Sequence, residues 1–358
     1  YYRLGEYGFA QSSFKSALDA SLDLSNRAAD LLWIGKTHLA LDNRPEAELA
    51  WQQAAAVDPT GYYSERAADL LAGRQPFATP IAYDLSYNRS AERAEAETWL
   101  RAIFSLPAEI DLSAPGTLAG DSRLLRLSEL WRLGLYDLAL SEIETLRTAV
   151  KDDPADTYRL ALYLIDLGAY RQGILAARQV LNLAGMDDAA TMTAPVFFNR
   201  LRFGAYFSDL VFTAAQEYRF HPLFLFSVMR QESLFEGFAR SSAGARGLMQ
   251  IIPSTGQALA NQLGWPPDYT AEDLYRPVVS LRLGTEYLAQ QRAAFDGDLY
   301  AALAAYNGGP GNAAIWKQLA PDDPDLFVEV VRFEETRRYI KLIYELYSIY
   351  YQLYDRSP

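Results

Sequence analysis

The sequence predicts a mainly α-helical chain in two parts: an α-helical superhelix of stacked helix pairs, then a mostly helical unit that does not repeat. Three observations carry this. A set of small and bulky residues recurs at a constant offset of 34 positions between residues 133 and 174. An earlier stretch, residues 34–59, shows the same order of small, bulky and breaker residues. Beyond about residue 195 the repetition stops and single motifs begin, with apolar residues at helical spacing such as Leu225, Val228 and Met229.

The elements follow in chain order. Leu4, Gly5, Tyr7, Ala10, Phe14 and Ala17 look like part of a helix pair that the chain start truncates, and the chain opens at Tyr1 without Met. Ile34, Gly35, His38, Ala47, Trp51, Ala54 and Pro59 complete a tetratricopeptide-like pattern, so residues 1–75 are expected to be helical repeats, with His38 a packing residue. Residues 76–121 read as a connector: prolines and absent periodicity before about residue 95, one helix around Glu95–Phe104, then Pro107, Pro115, Gly116 and Gly120. Residues 122–195 carry the clearest repeat. Leu133, Gly134, Tyr136, Ala139 and Leu140 return as Leu167, Gly168, Tyr170, Gly173 and Ile174. Each pair can bury its apolar face only against a neighbour, hence the expected superhelix. A break at Gly185–Pro195 marks the start of a last domain, residues 196–358.

Composition removes whole classes of chemistry. Across 358 residues there is no cysteine and only two histidines, His38 and His221. Thiol nucleophiles, disulfides, Cys-rich zinc sites and iron–sulfur clusters are therefore excluded, and carboxylate, hydroxyl and amide chemistry remain. The net charge of −12 argues against a grip on nucleic acid. It is uneven: residues 200–358 hold 15 basic and 18 acidic residues, so most of the excess lies earlier. Arg or Asp interrupts even the apolar stretch around Phe197–Ala215, so no membrane span is expected. A secretion signal or lipid anchor would lie outside the given chain. Asp296-Gly297-Asp298 lacks the downstream residues of a calcium loop and reads as a helix-start turn; neither metal nor cofactor is expected.

One constellation carries chemistry. Pro222 after His221 suits a helix start, and Leu225, Val228, Met229 and Glu232 share one face of that helix. A carboxylate ending an apolar stripe is either exposed at the helix end or held in a dry site for a purpose. Ser241-Ser242-Ala243-Gly244-Ala245-Arg246-Gly247 then gives a tight backbone that leads into Leu248-Met249-Gln250-Ile251. Ala301–Tyr306 reads as a helix that stops in a loop, Asn307-Gly308-Gly309-Pro310-Gly311-Asn312.

In order, Glu232-Ser233, Gly247-Leu248-Met249-Gln250, Ala305-Tyr306-Asn307 and Glu335-Thr336-Arg337-Arg338-Tyr339 resemble the motif set of soluble lytic transglycosylases of the Slt type, over residues 196–358. The resemblance implies a lysozyme-like domain acting on bacterial peptidoglycan, and the preceding repeats resemble the superhelical region such enzymes carry. It also implies that one carboxylic acid suffices. Glu232 protonates the leaving oxygen of the MurNAc–GlcNAc β-1,4 bond, the substrate's N-acetyl group stabilises the anomeric cation, and Glu232 then activates the 6-hydroxyl to give a 1,6-anhydro end. Burial beside Leu225, Val228 and Met229 is expected to raise the pKa of Glu232.

By the same carry-over, Ser233 and Ser241 steady the acid or the glycan, Gln250 offers an amide, and Tyr306 a phenol near the reacting centre. Asn307 either binds sugar or ends its helix. Glu335 and Tyr339 shape the cleft, with packing among Ile340, Ile343 and Tyr344 as the alternative for Tyr339. Met249 belongs to the substrate-facing motif, although packing beneath the loop suits it better. Glu236 is expected to be solvated. Ile252 stands where family members commonly have Met, and Glu334-Glu335 doubles the acidic position. The implied partners are peptidoglycan glycan strands, with cell-wall proteins bound through the repeats, and the implied location is the bacterial envelope. Two other readings stay open: a lysozyme-type hydrolase, and a wall-binding scaffold whose repeats are the main business.

Overall fold

The computed structural model describes residues 1–357. Among these residues the regular elements are nineteen α-helices and three 3-10 turns, with only isolated β-bridges besides. The mainly helical expectation therefore holds, and none of the helices is long and apolar enough to cross a membrane. Contacts divide the chain into two compact units, each assembled from separated stretches: residues 1–83 with 214–231 and the chain from Gly284 on, and residues 84–213 with 232–283.

In the first unit the helices Tyr7–Ala20, Leu24–Ala40, Arg44–Val57 and Tyr62–Leu71 pack in succession. Asp23 caps the second by accepting from the Asn26 amide at 2.9 Å, and Pro45 sits in the first turn of the third. The small-and-bulky pattern has a direct cause. The indole of Trp51 donates to the Leu32 carbonyl at 3.2 Å, and it lies so close to Gly35 that a Cβ there would fall 2.3 Å from its nitrogen. His38 is half-buried and pairs with the Gln11 side chain, in keeping with a packing role.

The same unit takes in most of the Pro222–Ser233 helix and the helices Leu299–Gly308, Pro310–Leu319, Pro324–Val330 and Glu334–Tyr354. Two devices join these to the N-terminal helices. Phe77, in the stretch expected to be a connector, meets Phe224, Tyr300 and Tyr344 edge to face at 5.2–5.3 Å. Beside it the Tyr62 hydroxyl donates to that of Tyr300 at 3.2 Å. The second device is ionic: Arg66 donates through Nε to Asp325 at 2.8 Å, and Lys36 donates to Asp325 at 2.7 Å and to Asp323 at 2.5 Å. Arg66 is 1% and Asp325 2% exposed. Burial alone would push the Asp325 carboxyl up, but Lys36 and Arg66 hold it down at about 2.

The second unit contains the clearer repeats as the helices Ser122–Arg132, Tyr136–Val150, Pro154–Leu167 and Tyr170–Leu183. The 34-residue period is visible in Tyr136 and Tyr170, each opening a helix. Asp121 and Asp153 cap the alternate helices. Leu127, Ile143, Leu160 and Leu164 form one core, and Leu100, Tyr158, Val180, Phe197 and Phe198 a second. The helix expected around Glu95–Phe104 spans Arg89–Ile103. It begins earlier because the Asn88 side chain accepts from the Ala91 amide, a cap that the polar composition of residues 89–95 hides. The Gly185–Pro195 break holds a short helix, Asp188–Thr191, capped by Asp187.

Breaking the ionic hub leaves buried charge unpaired, so Arg66→Met should lower the unfolding free energy by ~3–5 kcal/mol in urea. The Asp325 carboxyl lies below its unfolded value, so its contribution is complete above about pH 3.8 and is lost as pH falls toward 2. Asp325→Asn should remove that acid-dependent loss; stability profiles unchanged by either substitution would show that the hub contributes nothing.

Candidate active site

In the second unit, the site begins where the Pro222–Ser233 helix ends. Leu225, Val228 and Met229 of that helix are fully buried, while Glu232 is partly exposed. Leu234 and Phe235 adopt left-handed backbone, φ 51° and 64°, which stops the helix just after the carboxylate. Ser233 then ties this end to the next motif, donating from Oγ to the Leu248 carbonyl at 3.0 Å.

That motif is a closed turn. Arg246 and Ile251 exchange backbone hydrogen bonds at 3.0 and 3.1 Å, which encloses residues 247–250. Gly247 is required there twice over: its φ is +77°, and a Cβ would fall 1.9 Å from the Leu274 carbonyl oxygen. The Met249 amide donates to the Ser280 hydroxyl at 3.1 Å, with the Met249 side chain fully buried. Gln250, at φ 48°, donates from Nε2 to the carbonyls of Gly247 and Ala239 at 2.9 and 3.2 Å. Its amide N–H groups thus brace the turn. Ser241 serves the preceding bend, accepting from the Ala245 amide at 3.0 Å. Ile252 is about half exposed, an apolar surface beside the turn.

In the first unit, Asp298 caps the Leu299–Gly308 helix by accepting from the Ala301 amide and is itself paired with Lys317 at 2.7 Å. This is the helix-start role expected of the Asp296–Asp298 turn. Tyr306 is half-buried near the end of that helix, its ring 5.3 Å from that of Tyr287. Asn307 is exposed and accepts from the Thr336 hydroxyl at 2.6 Å, joining the third and fourth motifs. Glu335 is exposed in the first turn of the last helix, and Tyr339 is 5% exposed among buried neighbours Ile340 and Ile343.

Two expectations are corrected. The stretch from Asn307 to Asn312 is not an open loop: the helix runs to Gly308, and Pro310 opens the next helix at once. The reversal takes one residue because Gly309 adopts φ 87° and Pro310 needs no amide donor in a first turn. Glu236 is not solvated. Its side chain is 10% exposed, held by Gln172 at 3.2 Å and facing Arg171 at 3.7 Å, and burial pushes its carboxyl above the ordinary value against both partners. Ser280 was not legible as a clamp of the turn, since only the fold brings it within reach of residue 249. Among the described residues no group of three or more His, Asp or Glu is placed to hold a metal ion.

Gly247→Ala should destabilise the fold by more than ~1 kcal/mol, through positive φ and the Leu274 collision together. Ser233→Ala should cost ~1 kcal/mol and speed hydrogen exchange at the Met249 and Ile251 amides. Exchange as slow as in the parent chain would show that Ser233 does not hold the turn.

Residues 209–325 match the transglycosylase SLT domain family. A soluble lytic murein transglycosylase of Salmonella typhimurium is 31% identical over 153 residues, 42% of this chain and 24% of its own length. That of Escherichia coli K12 is 34% identical over 129 residues, 35% of this chain and 20% of its own. The solved structure of an inactive mutant of lytic transglycosylase Slt from Pseudomonas aeruginosa superposes with a TM-score of 0.67 at 24% identity, over 98% of this chain and 50% of that one. The chain thus spans a quarter or less of these curated relatives and half of the solved structure. Residues 209–325 are similar to the transglycosylase SLT domain family, and the helical chain around them shares the fold of that solved lytic transglycosylase structure.

Proposed function

We propose that this chain is the catalytic portion of a peptidoglycan lytic transglycosylase of the bacterial envelope, with helical repeats in residues 1–75 and 122–195, a connector in 76–121 and the catalytic domain in 196–358. One observation carries the reading: a carboxylate, Glu232, ends a helix whose apolar face is fully buried, and its neighbour Ser233 locks that end onto the Gly247–Gln250 turn. The SLT match over residues 209–325 supports it.

Glu232 gives its proton to the glycosidic oxygen as the bond to the anomeric carbon breaks. The oxygen of the substrate's own acetamido group stabilises the cationic carbon, which removes the need for the second carboxylate of most glycosidases. The 6-hydroxyl of the same muramic residue then bonds to that carbon and returns a proton to Glu232, so acid and base are one group and no water is consumed. Ser233 fixes the acid; the turn around Met249 and Gln250, with Ser241 before it, forms a rigid backbone against the sugar. Tyr306, Asn307 and Glu335 serve substrate contact from the last helices, while Tyr339, buried among Ile340 and Ile343, supports them by packing. Glycan strands are the partner, the repeats offer a surface for cell-wall proteins, and neither cofactor nor metal enters the reaction.

Mass analysis of digested sacculi should show anhydromuramyl ends, one water lighter than hydrolysed ends. Glu232→Gln should reduce their formation by roughly 10²–10⁴-fold while the fold persists. Hydrolysed ends alone would overturn the lyase reading in favour of a lysozyme-type hydrolase, and wall degradation untouched by Glu232→Gln would leave only a scaffold.

A further inference from the structure

A cavity of about 250 Å³ lies wholly within the second unit, between the turns of the two 34-residue repeats and the stretch Phe235–Phe238 that directly follows the carboxylate helix. Its size falls below the roughly 300–1,000 Å³ of sites for drug-sized molecules, leaving room for one six-membered ring with its substituents. One wall is aromatic. Tyr136 stacks on Phe238 at 4.2 Å and 6°, and Trp131 stands edge-on to both at 5.0 and 5.4 Å. The equivalent tyrosine of the next repeat, Tyr170, also lines the cavity.

The polar edge is equally particular. Arg171 and Glu236 face each other at 3.7 Å, too far for a good hydrogen bond, and their charges cancel. Gln172 donates to Glu236, but its own Oε1 is buried with no hydrogen-bond partner. A purely apolar guest would leave that oxygen unsatisfied, and a guest of either net charge would meet a like charge from Arg171 or Glu236. The cavity therefore favours a neutral ring with an apolar face for the aromatic wall, an N–H or O–H for Gln172, and an acceptor for Arg171.

We propose that this cavity is a subsite for one N-acetylated hexosamine ring of a glycan strand. The acetamido N–H donates to Gln172 Oε1, its carbonyl accepts from Arg171, and the C–H face of the pyranose lies against the aromatic wall. The choice of sugar rests on the glycan-cleaving reading above. The repeats thereby gain a task other than support: they hold a sugar beside residues that follow Glu232 by only a few positions.

The test is calorimetric titration with the linear tetramer of N-acetylglucosamine, in a Glu232→Gln background that prevents turnover. Adding Gln172→Ala or Trp131→Ala should weaken binding about tenfold. Trp131 also packs on the repeat core, so Gln172→Ala is the decisive variant where Trp131→Ala lowers stability. With Glu232 intact, Gln172→Ala should raise KM on sacculi and leave kcat unchanged. Titrations identical with and without these substitutions would overturn the subsite while anhydromuramyl products still upheld the lyase. Binding that depends on Gln172 without anhydro products would uphold the subsite and overturn the lyase.

Discussion

A buried guanidinium, Arg66, and a largely covered ammonium, Lys36, cannot be left unpaired in this molecule, and that requirement organises its first unit. Arg66 and Lys36 belong to N-terminal helices, yet the carboxylate that neutralises them, Asp325, comes 259 and 289 positions later. Desolvation of an isolated guanidinium costs several kcal/mol, so these helices are completed only when the C-terminal sequence returns to them. The aromatic group of Phe77, Phe224, Tyr300 and Tyr344 surrounds the same junction, and Tyr300 belongs to the helix that carries Tyr306 and Asn307. Support and candidate chemistry therefore share one helix.

The second unit solves a different problem, holding a short turn still without a sheet. Residues 247–250 are fixed by reciprocal bonds between Arg246 and Ile251, by Ser280 below, by Ser233 from the carboxylate helix and by the Gln250 side chain across the turn. Most of these bonds end on backbone groups. Their geometry therefore depends little on side-chain rotamers, and only glycine fits at 247, where the chain passes against the Leu274 carbonyl. Glu236 and Gln172 add a third kind of constraint, polar groups kept dry beside aromatic rings, which the fold tolerates at an energetic cost and which mark a place for a ligand.

Much of this was legible in the residue order. The 34-residue recurrence predicted successive helix pairs, and in the structure the equivalent Tyr136 and Tyr170 each open a helix, as expected where every pair presents an apolar face to its neighbour. The small residue under Trp51 was legible as Gly35 for the same reason of close packing. Glu232, Ser233 and the Gly247–Gln250 turn stood out because each is a local pattern. Errors fell where local pattern and environment part company. Asn307–Asn312 has the composition of a loop, yet a single left-handed residue sufficed to begin a new helix. Glu236 has the composition of surface, yet the repeats cover it.

The sequence by itself determined the helical character, the repeat period, the absence of thiol chemistry and the identity of the candidate acid, since all of these reside in residue type and near-neighbour spacing. Tertiary structure alone decided which carboxylates are buried, which serine clamps the turn and which distant helix neutralises Arg66. Those outcomes depend on desolvation and on hydrogen bonds between groups tens to hundreds of residues apart, and neither quantity is carried by any local stretch of sequence.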